Sequence, residues 1–198
     1  MSRKILLGLT GQTGAGKSTV GAYLRGRGAA VLDGDLAARE VLVGNAELKA
    51  RICAAFGDDV YNGDVLDRAA LASRAFASPA ATATLNSIMH PAVCAWLSTR
   101  AEAAFENADV VVVDAAALIE SGFAARCDLL AVVTAPEPVR LARIMARDGL
   151  TEEAARLRMN AQKPESWYVE RADYVIVNDG GSLEEALRPL YAALFGAD

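Results

Sequence analysis

The chain has 198 residues, 53% hydrophobic and 23% charged, enough for one buried core with a small inserted subdomain and too apolar for a disordered chain. Its formal net charge of −5 argues against nucleic acid as a partner, because neutralising backbone phosphates needs a broad basic face. A small anionic ligand needs only a local positive cluster and stays open.

Cys53, Cys94 and Cys127 form no CxxC pair and read as reduced thiols, not a disulfide frame or a zinc site. The opening MSRKILLGLTG has too short an apolar run for a signal peptide, and no stretch nears the roughly 18 residues a bilayer span needs. A soluble cytoplasmic protein is expected, a monomer or weak homo-oligomer with no membrane partner.

Along the chain, Ile5 to Thr10 reads as a buried strand, Ser18 to Arg27 as a helix, and Ala29 to Leu32 as a second strand entering Asp33-Gly34-Asp35. Residues 36 to 56 look helical apart from a break at Gly44-Asn45. A turn-rich segment follows from 57 to 68, where Asp67 is placed to cap the next helix. Pro79 to about Phe105 is helical with an interruption at His90-Pro91, a kink or two helices meeting, since proline there removes a helical hydrogen bond.

Val110 to Val113, closing on Asp114, predicts the third strand, and Asp128 to Thr134 the fourth. Helices are expected at Pro138 to Asp148 and Thr151 to about Gln162, a last strand at Tyr174 to Val177, and a final helix from Ser182 to about Phe195. Strands alternating with helices predict an α/β fold: a parallel sheet flanked by helices that cover both faces. Residues 1–198 then form one domain. Its stretch from about 45 to 107, with no strand between its ends, is a helical insertion suited to binding a second substrate.

Residues 11 to 18 read Gly11-Gln12-Thr13-Gly14-Ala15-Gly16-Lys17-Ser18, followed by Thr19, and match GxxxxGK[ST] in full. Glycine permits the positive φ angles that turn successive N–H groups inward toward phosphate oxygens, and the helix opening near Lys17 adds its N-terminal partial charge. Lys17 is expected on the β- and γ-phosphates and the Ser18 hydroxyl on Mg²⁺. An apolar strand before the loop and a helix after it favour a nucleoside triphosphate over a mere tight turn.

Asp33 and Asp35 lie at the end of the second strand, where ligands of open α/β sheets bind. Either carboxylate could take a proton from a substrate hydroxyl or support Mg²⁺, while Asp35 could instead simply cap a helix beginning at Leu36. Asp114, closing four valines, is a candidate carboxylate for Mg²⁺. Arg140, Arg143 and Arg147 share one predicted helix, with Arg143 and Arg147 on one face, and Arg156 and Arg158 sit in the next. They could attend the migrating phosphoryl group from a mobile lid, or form a solvated face with Glu152 and Glu153 as partners.

GLTGQTGAGKST, VLDGDLAAREV, FGDDV with LDRAAL, LNSIMHP and ADYVIVNDGGSLEEAL occur in the order and spacing of the dephospho-coenzyme A kinases. The chain resembles that family over nearly its whole length. Its most specific elements are Asp33-x-Asp35-x-x-Ala38-Arg39 and Leu85 to Pro91. The resemblance implies transfer of the ATP γ-phosphate to the 3′-hydroxyl of the dephospho-coenzyme A ribose.

It also implies Asp35 as general base, with Asp33 assisting at the acceptor or the metal. Arg39, His90, Leu118 and Glu120 fall on the acceptor side. A lid spans about 143 to 170 and carries Arg143, Arg147, Arg158 and Gln162, and the turn from Asn178 to Gly181 lies beside adenine. His90, like Trp96, Trp167 and Tyr168, is expected chiefly to pack. After the third strand the chain departs from the family's apolar-Pro-Leu-Leu-Phe-Glu: it has Ala115-Ala116-Ala117-Leu118-Ile119-Glu120.

The nearest rival is another small-molecule kinase, such as a nucleoside monophosphate kinase, differing only in acceptor. A guanine-reading switch would carry an Asn-Lys-x-Asp segment, which this sequence lacks. A relative that binds without catalysis gains no support, because Lys17, Ser18, Asp35 and Asp114 are all present.

Overall fold

A computed structural model describes residues 3–196. Five parallel strands form the main sheet: β1 (Ile5–Thr10), β2 (Ala30–Asp33), β5 (Val110–Asp114), β6 (Leu129–Thr134) and β7 (Tyr174–Val177), in the order β2-β5-β1-β6-β7. The expected parallel α/β sheet is present. It belongs to a compact unit of residues 3–33 and 100–196, and residues 34–99 form a second unit.

The alternation of the strands decides which face each residue buries. Leu7 and Leu9 of β1, Val110 and Val112 of β5, Val133 of β6 and Ile176 of β7 join one cluster with Val20 and Leu24 of α1 (Lys17–Arg25). Leu187, Leu190 and Leu194 of α9 (Leu183–Phe195) complete it. Each fully buried Leu contributes about 1.5–3 kcal/mol, so this face is the unit's main store of stability.

The opposite face is crossed by the segment after β5. A β-carbon at Gly8 would lie 2.6 Å from Leu118 Cδ2. The chain thus leaves β1 toward one face and β5 toward the other, and the crevice between their carboxyl ends is where such sheets bind ligands.

Three helices follow β6: α6 (Glu137–Asp148), α7 (Glu152–Asn160) and α8 (Glu165–Val169), the last unforeseen from sequence. Tyr168 of α8 is 2% exposed and packs edge-on to Trp167, as the expectation of core or rim aromatics holds.

The second unit holds α2 (Gly34–Glu40), α3 (Ala46–Phe56), α4 (Arg68–Ala75) and most of α5 (Pro79–Ala104). Val41, Leu48, Ile52, Phe56, Val60, Leu71, Ala75 and Ile88 form its core. Asn45 caps α3, and Asp67 caps α4 by accepting from the Ala69 and Ala70 N–H groups.

Three expectations fail in this region. The stretch from 45 to 107 is not free of strands: β3 (Tyr61–Asn62) and β4 (Val65–Leu66) form a short antiparallel hairpin inside the turn-rich segment. α2 opens at Gly34, so Asp35 lies in the first turn and is not the cap. Two helices do not meet at His90-Pro91, because α5 is continuous through Pro91. Proline leaves the carbonyl four residues earlier without its helical donor. That carbonyl, of Ser87, instead takes the Arg51 guanidinium at 3.5 Å.

Candidate active site

The loop after β1 turns on three positive φ angles, 140° at Gly11, 78° at Gly14 and 97° at Gly16. Gly16 could carry no side chain even in that conformation, because a β-carbon would overlap Asn178 Nδ2. Its shape is fixed from outside, through its carbonyls.

Gly11 O accepts from Lys17 Nζ at 2.9 Å and Gln12 O from the Ala15 N–H at 3.2 Å. Thr13 O accepts from Arg140 Nε at 3.0 Å. Gly14 O and Ala15 O take Arg143 Nη1 at 3.4 and 3.2 Å, and Ala15 O also takes Asn178 Nδ2 at 2.9 Å. Gly16 O accepts from the Thr19 N–H at 3.1 Å. Every carbonyl from residue 11 to 16 therefore has a donor. Of the N–H groups in the same turns, that of Ala15 returns to Gln12 O and that of Thr13 is taken by Gln162 Oε1, which leaves those of Gly14 and Gly16 to serve an anion nest.

The helix that follows points the same way. α3, α4, α7 and α9 are capped by Asn45, Asp67, Thr151 and Ser182, whereas α1 has no side-chain cap and no acidic residue in its first turn. Its first N–H groups and positive end remain for a bound anion. Ser18 and Thr19 are exposed at this end.

Beside the loop, Asp33 and Asp114 are register partners at the ends of β2 and β5. Asp114 Oδ2 lies 3.8 Å from where a β-carbon on Gly21 would sit, and Gly21 is one turn beyond Ser18 on α1. A hydroxyl and a carboxylate on this side are hard oxygen donors. They suit an ion that draws its other ligands from phosphate and water, so the residues fit Mg²⁺. The chain after Asp114 stays at the end of β1, with the Ala115 N–H on Leu9 O at 3.1 Å and the Thr10 hydroxyl on Ala116 O at 3.3 Å.

The later candidates divide. Arg143 and Asn178 lie on the loop, and Asn178 also accepts from Arg143 at 3.1 Å through its carbonyl. Gln162 Oε1 takes the Thr13 N–H at 2.7 Å. Arg147 pairs with Asp148 at 2.8 Å, and Arg158 reaches the same carboxylate at 2.7 Å. The hydrogen bond from Arg147 is the main cause holding the Asp148 carboxyl below its ordinary value. Arg156 pairs with Glu152 and Glu137, the solvated-face reading in part.

Leu118 is 1% exposed and packs as core over Gly8. Glu120 accepts from the Tyr168 hydroxyl at 3.2 Å, and burial first, then this carboxylate, pushes that phenol up to about 12. Burial likewise drives the Cys127 thiol up to about 12, so it is unreactive at neutral pH. Asp35 and Arg39 are exposed on α2 and His90 is half-exposed on α5, all three within the second unit.

Arg140 and Gln12 were both named from sequence, but their bond to each other was not foreseen. Arg140, 6% exposed, also donates from Nη1 to Gln12 Oε1, and Gln12 Nε2 donates to Lys163 O at 2.9 Å. Burial pulls the Arg140 guanidinium below its ordinary value, although nearby Glu165 and Glu137 oppose the shift. The available signal was that Arg140, Arg143 and Ile144 recur at helical spacing on one face of α6.

The profile of the dephospho-CoA kinase family matches residues 5–184. The dephospho-CoA kinase of Syntrophotalea carbinolica is 43% identical over 183 residues, 91% of this chain and 86% of that protein. The chain belongs to the dephospho-CoA kinase family. Family members catalyse the ATP-dependent phosphorylation of dephospho-CoA to CoA, the last step of CoA biosynthesis.

Solved structures agree. A Thermus thermophilus protein superposes with a TM-score of 0.82 at 36% identity, covering 98% of this chain and 100% of that one. A dephospho-CoA kinase from Campylobacter jejuni gives 0.69 at 25% identity, covering 96% and 98%. The sheet is thus that of a P-loop kinase, as its loop implied, and among the described residues no helix is long and apolar enough to cross a membrane.

Proposed function

We propose that this kinase moves the γ-phosphate of ATP to the ribose 3′-hydroxyl of dephospho-CoA, with Asp35 as general base. The observation that carries the reading is the loop from 11 to 16, a glycine turn with every carbonyl engaged that opens onto the uncapped N-terminus of α1. Lys17, at the mouth of that loop, meets the β- and γ-phosphates, and Arg143 is the α6 cation that supports the migrating group.

Asp35 accepts the proton of the 3′-hydroxyl as its oxygen bonds to the γ-phosphorus. The bond from that phosphorus to the β–γ bridging oxygen breaks, and ADP leaves with the electron pair. Ser18 and Asp114 are proposed to hold Mg²⁺, which when bound neutralises charge on the β- and γ-phosphates. Asp33, in register with Asp114, assists at the acceptor or the metal.

Arg39, His90, Glu120, Arg158 and Gln162 are assigned to the acceptor side, with Leu118 backing its wall, and residues from about 45 to 107 to the acceptor-binding insertion. The segment from about 143 to 170, with Arg147, is assigned to the lid, and the turn at Asn178 to the adenine side.

ADP release is measured with Mg-ATP and dephospho-CoA, AMP or no acceptor. Release that requires dephospho-CoA, with CoA identified by mass, is the expected result. Turnover with AMP alone would overturn the acceptor while keeping the site.

A further inference from the structure

We propose that Arg140 is a positioning residue for ATP, which sets the phosphate loop from its carbonyl side without touching the nucleotide. The inference rests on the reading of that loop as the ATP site. Arg140 belongs to α6, yet two arms of its guanidinium end on the loop's first turn: Nε on Thr13 O at 3.0 Å and Nη1 on Gln12 Oε1. Its third nitrogen, Nη2, is buried without a hydrogen-bond partner. A buried cation is held at this cost in solvation only where its remaining bonds fix something.

What those bonds fix is the orientation of one peptide unit and of the Gln12 side chain. Drawing Thr13 O outward turns the following N–H, that of Gly14, toward the concave face, because the two groups share one rigid plane. Gln12 extends the hold. Its side-chain oxygen takes Arg140 while its amide donates to Lys163 O at 2.9 Å, so the first turn of the loop is fastened to the segment after α7 as well.

Arg143 does the equivalent work one turn later, at Gly14 O and Ala15 O. The two arginines stand three residues apart on one helix and clamp successive carbonyls. A lysine at 140 keeps the charge and can donate, but lacks the planar fork that meets both acceptors in this fixed geometry.

The test measures Mg-ATP binding by titration calorimetry, and KM for each substrate, on the full chain. The variants are Arg140→Ala, Arg140→Lys, Gln12→Ala and the Gln12→Ala/Arg140→Ala pair. Arg140→Ala is expected to raise the ATP dissociation constant about 10- to 100-fold while the KM for dephospho-CoA stays within about two-fold. Arg140→Lys recovers part of this loss. The double variant falls short of the product of the single effects, as expected of residues in one network.

ATP binding unchanged in a folded Arg140→Ala protein would overturn the proposal. So would equal rises in both substrates' constants, or effects that multiply. Should Arg140→Ala fail to fold, Gln12→Ala decides: weaker ATP binding supports the role and unchanged binding removes it. Because ATP binding is read directly, loss of the role remains distinguishable from a wild-type chain that does not turn over dephospho-CoA.

Discussion

In the unit of residues 3–33 and 100–196, strands buried on both faces carry the fold, and the loop at their end is braced by buried or half-buried polar groups. In residues 34–99, helices enclose a smaller apolar cluster, and the ion pairs are exposed. Arg74 forks onto Asp59 and also donates to Phe56 O, and Lys49 reaches Asp64 at 2.8 Å. The contrast follows function. Amides aimed at phosphate need a rigid frame, whereas a unit assigned to an acceptor can rely on ties that water and salt weaken.

The largest effects should fall on the chemistry and separate the units by substrate. Lys17→Ala should lower kcat/KM for ATP by about 10²- to 10³-fold, seen in the ADP-release assay. Asp35→Asn should lower kcat by about 10³-fold, because it removes the proton acceptor without touching the loop.

Core truncations come next and test how independent the units are. Leu9→Ala, in the sheet, should cost about 2–5 kcal/mol of global stability in denaturant unfolding. Ile52→Ala should cost a similar amount but speed amide exchange chiefly within residues 34–99, with ATP binding retained. If exchange instead accelerates equally in the sheet, the two units unfold as one.

The smallest effect is electrostatic. The Arg74 hydrogen bond holds the Asp59 carboxyl below its ordinary value, so the pair's contribution is present above the usual carboxylate range and lost as pH falls through the lowered value. Asp59→Asn should therefore lower the melting temperature at pH 7. The difference from wild type should shrink as the pH is taken below about 4, or as salt is added.

The phosphate loop was legible because its demands are local: glycines with positive φ at 11, 14 and 16, then Lys17 and Ser18, have few other uses in that order. The five strands were legible because apolar runs such as Val110 to Val113 permit little else. Arg140 and Gln12 meet across 128 residues, and no local pattern signals such a pair. α5 passes Pro91 for the same reason, since Arg51 supplies a donor to Ser87 O from another helix. The β3–β4 hairpin was hidden because two-residue strands give alternation no room to show. That Arg147 and Arg158 share Asp148 was likewise not legible, because spacing does not reveal which carboxylate a guanidinium will take.

The division of labour between the loop and Asp35 is tested most directly by one paired measurement on Asp35→Asn: Mg-ATP affinity by titration calorimetry and dephospho-CoA turnover on the same preparation. Affinity within about three-fold of wild type, with turnover down about 10³-fold, is the predicted result. Near-normal turnover would remove Asp35 as the base, and lost ATP affinity would contradict a nucleotide site built without Asp35.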